Sequence, residues 1–156
     1  YVVARKVKAV LENDMIPILC VGETEEERKE GQTEERIGSE IRTALFALSK
    51  EETAKMVIAY EPIWAIGSGQ AATPKDAEEI ASFIRKTVKE AAGKKAADEV
   101  RILYGGSVNG DNISHFLKQK NIDGALVAPE KPDLKMADHK VLGFHYESNH
   151  YVRSLS

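Results

Sequence analysis

The feature that most constrains this chain is a set of short apolar runs, interrupted only by Arg101, each of strand length and separated by stretches patterned for helix. They are Ile16-Pro17-Ile18-Leu19-Cys20-Val21, Met56-Val57-Ile58-Ala59-Tyr60, Val100-Arg101-Ile102-Leu103-Tyr104 and Gly124-Ala125-Leu126-Val127-Ala128. A strand with one wet face alternates apolar and polar residues, whereas a continuous run suits a strand covered on both faces. Strands alternating with helices indicate βαβ units and a parallel sheet, so the fold class is α/β.

The helical signals between the runs are specific. Val3, Val7, Val10 and Leu11 form one stripe over residues 2–12, and Asn13-Asp14 marks the turn after it. Thr24 with Glu27 reads as a capping box, and Ile37, Ile41, Leu45 and Leu48 carry a stripe to about residue 49. Gly31 and Gly38 predict that this stretch is split into two pieces. Thr73, Pro74 and Asp76 supply N-cap, first helical residue and first-turn acid for a helix over 74–92. Ile113, Phe116 and Leu117 predict a last helix near 111–120.

A net charge of -3 argues against nucleic-acid binding, which needs a basic surface to displace counterions from phosphates. The single cysteine, Cys20, forms no intramolecular disulfide and points to a reducing compartment, with cytoplasm as the expected location. No run reaches the roughly 18 to 20 apolar residues of a bilayer span, so no membrane partner is expected. The first residue is Tyr1 rather than Met, which suggests a missing beginning.

Three strand ends carry residues suited to chemistry. Glu61 follows an apolar run and precedes Pro62, whose ring biases Glu61 toward extended geometry at the carboxyl end of a strand. In α/β barrels that end carries the active site, although an acid so placed is also commonly a salt-bridged surface group. The small-residue loop 65–72, between Trp64 and Pro74, suits either a hinged lid or a plain turn. Gly105-Gly106-Ser107 suits either an anion cradle or a turn.

The segment Ala59-Tyr60-Glu61-Pro62-Ile63-Trp64-Ala65-Ile66-Gly67-Ser68-Gly69 resembles the catalytic-glutamate strand and mobile loop of the triosephosphate isomerase family. Three more segments resemble that family in the same order: Pro17-Ile18-Leu19-Cys20-Val21-Gly22-Glu23-Thr24, Arg101-Ile102-Leu103-Tyr104-Gly105-Gly106-Ser107-Val108 and Ile122-Asp123-Gly124-Ala125-Leu126-Val127. The resemblance covers residues 1–128 and implies strands five to eight of an eight-stranded TIM barrel, about half of it. Residues 129–156 form an unmatched tail, expected to be irregular.

By this resemblance Glu61 is the base that moves a proton between two carbons of a small phosphorylated triose. Gly67 and Ser107 give backbone N–H groups to the phosphate. Trp64, Gly69, Ala72 and Tyr104 serve lid closure, with Ser107 near Gly69 and Tyr104 near Ala72, and Cys20 and Glu23 support the site from behind. No cofactor and no metal are implied, and the complete protein is expected to be a homodimer.

The chain departs from the family in two places. The histidine and lysine that complete the chemistry have no matching position, so the 156-residue chain alone is expected to be inactive. Ala128-Pro129 stands where the family has a phosphate-holding Gly-Gly pair, and Pro129 has no N–H to give. The alternative is a non-catalytic half barrel that binds phosphate weakly or associates with a partner. The tail histidines His139, His145 and His150 lack metal-site spacing and read as solvent-exposed.

Overall fold

A computed structural model describes residues 2–66 and 70–127. Four strands, β1 (Ile18–Val21), β2 (Val57–Tyr60), β3 (Arg101–Tyr104) and β4 (Gly124–Ala125), form one parallel sheet in the order β1-β2-β3-β4. Cys20 lies beside Ala59, and Ala59 beside Leu103; Val21, Tyr60, Tyr104 and Ala125 form the next rung. The predicted tail, its histidines and the Ala128-Pro129 step lie outside the described residues.

Seven α-helices accompany these strands among the described residues: α1 (Val2–Glu12), α2 (Glu25–Lys29), α3 (Thr33–Leu45), α4 (Lys50–Ala54), α5 (Pro74–Ala92), α6 (Lys94–Glu99) and α7 (Ile113–Leu117). Both predicted N-caps are present. The Thr24 hydroxyl accepts from the Glu27 N–H while Glu27 takes the Thr24 N–H, and Thr73 and Asp76 exchange the same pair of bonds. Each such cap contributes about 1 kcal/mol by satisfying donors that the first turn leaves free.

The helix-facing side chains of the strands, Leu19, Val21, Ile58, Tyr60, Ile102 and Tyr104, belong to the main core with Ile37, Ile41, Ile84 and Val88 of α3 and α5. Complete burial of each Val or Ile contributes about 1.5–3 kcal/mol. The opposite strand positions, Val57, Ala59 and Leu103, form a second cluster with Ile16, Ile18, Cys20 and Leu126. Both faces of the sheet are therefore apolar, as the runs predicted.

Arg85 of α5 ties the helical layer to the last strand. Its guanidinium donates to the carbonyls of Ala97 (2.5 Å), Val100 (3.1 Å) and Asn121 (3.3 Å), and pairs with Asp123 at 2.8 Å. Asp123 in turn accepts the Ile102 N–H at 2.8 Å. No helix among the described residues is long and apolar enough to cross a membrane.

Three expectations about helix limits need correction. Gly31, with φ +72°, separates α2 from α3, but Gly38 does not break the chain. It is buried inside α3, where a Cβ would come within 3.0 Å of the Arg42 guanidinium. The stretch ends at Leu45 rather than 49, and α4 then starts from its own capping box, Ser49 with Glu52. Helix α7 is shorter than predicted, and α6 begins after Gly93, whose φ of +92° favours glycine.

Candidate active site at the strand ends

Beyond the last paired rung, the register brings Gly22, Glu61, Gly105 and Leu126 level with one another. The ladder continues into this layer, with Glu61 N–H donating to Val21 O (2.8 Å), Gly105 N–H to Tyr60 O (2.8 Å) and Leu126 N–H to Tyr104 O (2.9 Å). Glu61 therefore has the same strand parity as Val57 and Ala59, on the face away from the helices.

Glycine on both neighbouring strands is a steric need. A Cβ on Gly22 would lie 1.8 Å from the Glu61 carbonyl oxygen, and one on Gly105 would lie 2.8 Å from Glu61 Cγ and 3.2 Å from its Oε1. Glu61 is 7% exposed, and its side chain occupies space that a larger residue at 105 would fill. The Cys20 thiol sits beside it, and burial followed by the Glu61 charge pushes that thiol well above its usual range. A buried carboxylate in such a recess can take a proton from an adjacent acid with little competition from water.

The helix-facing side of the sheet holds the supporting groups, from the preceding rung and from the loops beyond the strands. Glu23 is fully buried and its Oε1 accepts from the Tyr60 hydroxyl (3.1 Å) and from Trp64 Nε1 (2.9 Å), while its Oε2 has no partner. Burial, then the Glu23 charge, pushes the Tyr60 hydroxyl up. The Glu23 carbonyl accepts the Ile63 N–H at 3.1 Å, which fixes the 3₁₀ turn Ile63–Ala65 that follows Glu61-Pro62. Tyr104 stacks on Phe116 with ring centroids 4.1 Å apart, and its hydroxyl accepts the Ala72 N–H at 3.2 Å. Ser107 Oγ donates to the Ala65 carbonyl at 2.7 Å.

The structure thus gathers Glu61, Cys20, Glu23, Trp64, Ala72, Tyr104 and Ser107 at the carboxyl ends of β1, β2 and β3. Gly67 and Gly69 lie outside the described residues. Sequence reasoning missed Arg28, whose guanidinium lies 4.4 Å from the centre of the Trp64 ring. It also missed the role of Gly22, and for Gly105 it offered an anion cradle or a turn without the room that Glu61 occupies. The signal available for both glycines was their position one residue beyond a strand next to an acid.

Sequential parallel strands, helices against one face and polar groups collected at the strand carboxyl ends define part of an α/β barrel of the (βα)8 class. The family model described as Triosephosphate isomerase matches residues 1–137, and the chain belongs to the triosephosphate isomerase family. It is 50% identical over 125 residues to the triosephosphate isomerase of Clostridium tetani, covering 80% of this chain and 49% of that protein. Its similarity to the triosephosphate isomerase of Caldanaerobacter subterraneus subsp. tengcongensis is 51% over 125 residues, covering 80% of this chain and 50% of the relative. For that of Roseiflexus sp. the identity is 49% over 125 residues, with 80% and 49% covered. The chain spans about half the length of the curated relatives it matches.

Proposed function

We propose that residues 1–128 supply strands five to eight of a triosephosphate isomerase barrel and that Glu61 is its catalytic base. The observation that supports this reading is the buried Glu61 carboxylate at the end of β2, in room left by Gly105, with Gly22 clearing the Glu61 main chain. The substrate is a small phosphorylated triose. Glu61 takes a proton from C1 of dihydroxyacetone phosphate; the electron pair of the broken C–H bond forms the C1–C2 double bond of an enediolate. As that bond forms the C2 carbonyl π pair moves onto O2; return of the proton to C2, with the O1 hydroxyl proton passing to O2, leaves a C1 aldehyde and a C2 hydroxyl, which is glyceraldehyde 3-phosphate. This family is itself a standard illustration of such base catalysis and of loop closure.

Around that base, the main-chain N–H groups of Gly67 and Ser107 hold the phosphate. Trp64, Gly69, Ala72 and Tyr104 serve closure of the 65–72 segment, which keeps water from the enediolate. Cys20 and Glu23 support Glu61 and Trp64 from behind. The complete protein is a homodimer in the cytoplasm.

The test is triose phosphate turnover by the native protein from its source cells, with Glu61→Gln alongside. Loss of general-base catalysis should lower kcat by about 10²–10⁴-fold with triose phosphate binding retained. Equal turnover by the Gln variant would sink the assignment. A second reading is a half barrel that binds phosphate weakly or docks on a partner. It predicts phosphate binding without turnover in either protein. The purified 156-residue chain alone is expected to be inactive, and turnover well above buffer would overturn that expectation.

A further inference from the structure

Three segments meet at one side chain that the proposed chemistry does not use. Arg28, in the last turn of α2, lies with its Cζ 4.4 Å from the centre of the Trp64 ring. One guanidinium nitrogen is 3.5 Å from Glu23 Oε1, and the other is 3.6 Å from Asp76 Oδ2. The Arg28 side chain is about one-third exposed, while that of Glu23 is fully buried. A buried carboxylate with one oxygen unpartnered needs a nearby cation, and Arg28 is the one paired with it. The flat guanidinium satisfies two carboxylates and the indole face together, which a point-charge ammonium does not.

Each contact reaches a different part of the site. Trp64 belongs to the 3₁₀ turn directly after Glu61-Pro62; Glu23 holds that turn through its carbonyl; Asp76 closes the capping box that starts α5. Arg28 therefore spans the chain on both sides of the 65–72 segment.

We propose that Arg28 is a positioning residue: by fixing Trp64, Glu23 and Asp76 against one another it sets the 61–65 turn and, through it, the direction of the Glu61 carboxylate. The consequence for catalysis rests on Glu61 being the base; the positioning itself does not.

The chain carries its own reporters, because Trp64 is the single tryptophan and Cys20 the single cysteine. Acrylamide quenching of Trp64 emission and iodoacetamide alkylation of Cys20 at pH 8 are measured on the full chain for wild type, Arg28→Met, Arg28→Lys and Lys29→Met. Arg28→Met should raise the quenching constant about twofold, because the indole loses its cover. It should also speed alkylation at least threefold: burial, the larger cause of the raised thiol, stays, but a displaced Glu61 no longer adds to it. Arg28→Lys should fall between Met and wild type on both readouts, and Lys29→Met, on the same helix, should match wild type.

Unchanged values for Arg28→Met at wild-type far-ultraviolet circular dichroism would overturn the proposal. So would a change at Trp64 with none at Cys20, since the clamp would then end at the indole. If the Met variant loses its helical signal, Arg28→Lys decides, and wild-type values from a folded Lys variant overturn the proposal. Neither readout involves substrate, so the failure of Glu61→Gln to abolish turnover remains a separate result.

Discussion

Gly105→Ala isolates the space around Glu61 from every other feature of the site. Gly105 is not among the described glycines with positive φ, so alanine fits its backbone and the only change is one methyl group. That methyl would lie 2.8 Å from Glu61 Cγ, against a carbon–carbon contact of about 3.5 Å or more. The shortfall is about 0.7 Å. Retreat on the other side is closed by Leu126 Cβ at 3.4 Å, and both main chains are pinned by ladder bonds of 2.8 Å. The Glu61 side chain must therefore yield by most of that distance.

Misplacement of a reacting group by about 1 Å costs on the order of 10²-fold in rate, or about 2.7 kcal/mol at the transition state. If Glu61 is the base proposed above, kinetics of the complete protein with and without the substitution should show kcat reduced by roughly that factor. Stability should change by no more than about 1–2 kcal/mol, because overpacking is offset by the reduced entropy of the unfolded chain. A variant within threefold of wild type in kcat, at unchanged melting temperature, would refute the claim that Glu61 depends on this gap.

Two further outcomes concern stability. Arg85→Met removes the donor to three carbonyls and the partner of Asp123, so it should cost about 3 kcal/mol and lower the urea midpoint by roughly 1.5 M; a loss under about 1 kcal/mol would contradict the bracing role. Because the Cys20 thiol is raised in the native state, the native chain keeps a proton that the unfolded chain loses above about pH 8.5. Stability from this group is therefore complete below that pH and declines above it by up to about 1.4 kcal/mol per pH unit. Cys20→Ser should flatten the decline between pH 8.5 and 10 in urea melts, and an unaltered slope would exclude the thiol as its source.

The regular elements were legible where a local rule had no competitor. Thr73, Pro74 and Asp76 fix the start of α5 by bonds within four residues, and the apolar runs marked β1 to β3 because only Arg101, exposed at the start of β3, carries a charge among them. Short helices were less visible. Helix α4 has a capping box but only five residues, too few for a periodic stripe, and α6 is hidden behind α5 until the Gly93 backbone is known. Gly38 misled because a helical glycine that makes room for Arg42 looks in sequence like one that ends a helix. At the site, Glu61 stood out from its strand-end position. Arg28 did not, because on α2 it is one of two adjacent cations, and the choice between Trp64 and solvent is made by tertiary packing.

The strand order has a consequence for how the chain is made. In a sheet ordered β1-β2-β3-β4, no strand has to insert between two that are already joined. Each βα segment leaving the ribosome can dock on the edge left by its predecessor, so assembly can keep pace with synthesis at about 5–20 residues per second. Loop closure then spans only one repeat at a time, which keeps its entropic cost low. An edge strand waiting for its neighbour is exposed only while the next helix and strand are translated, a few seconds at that speed.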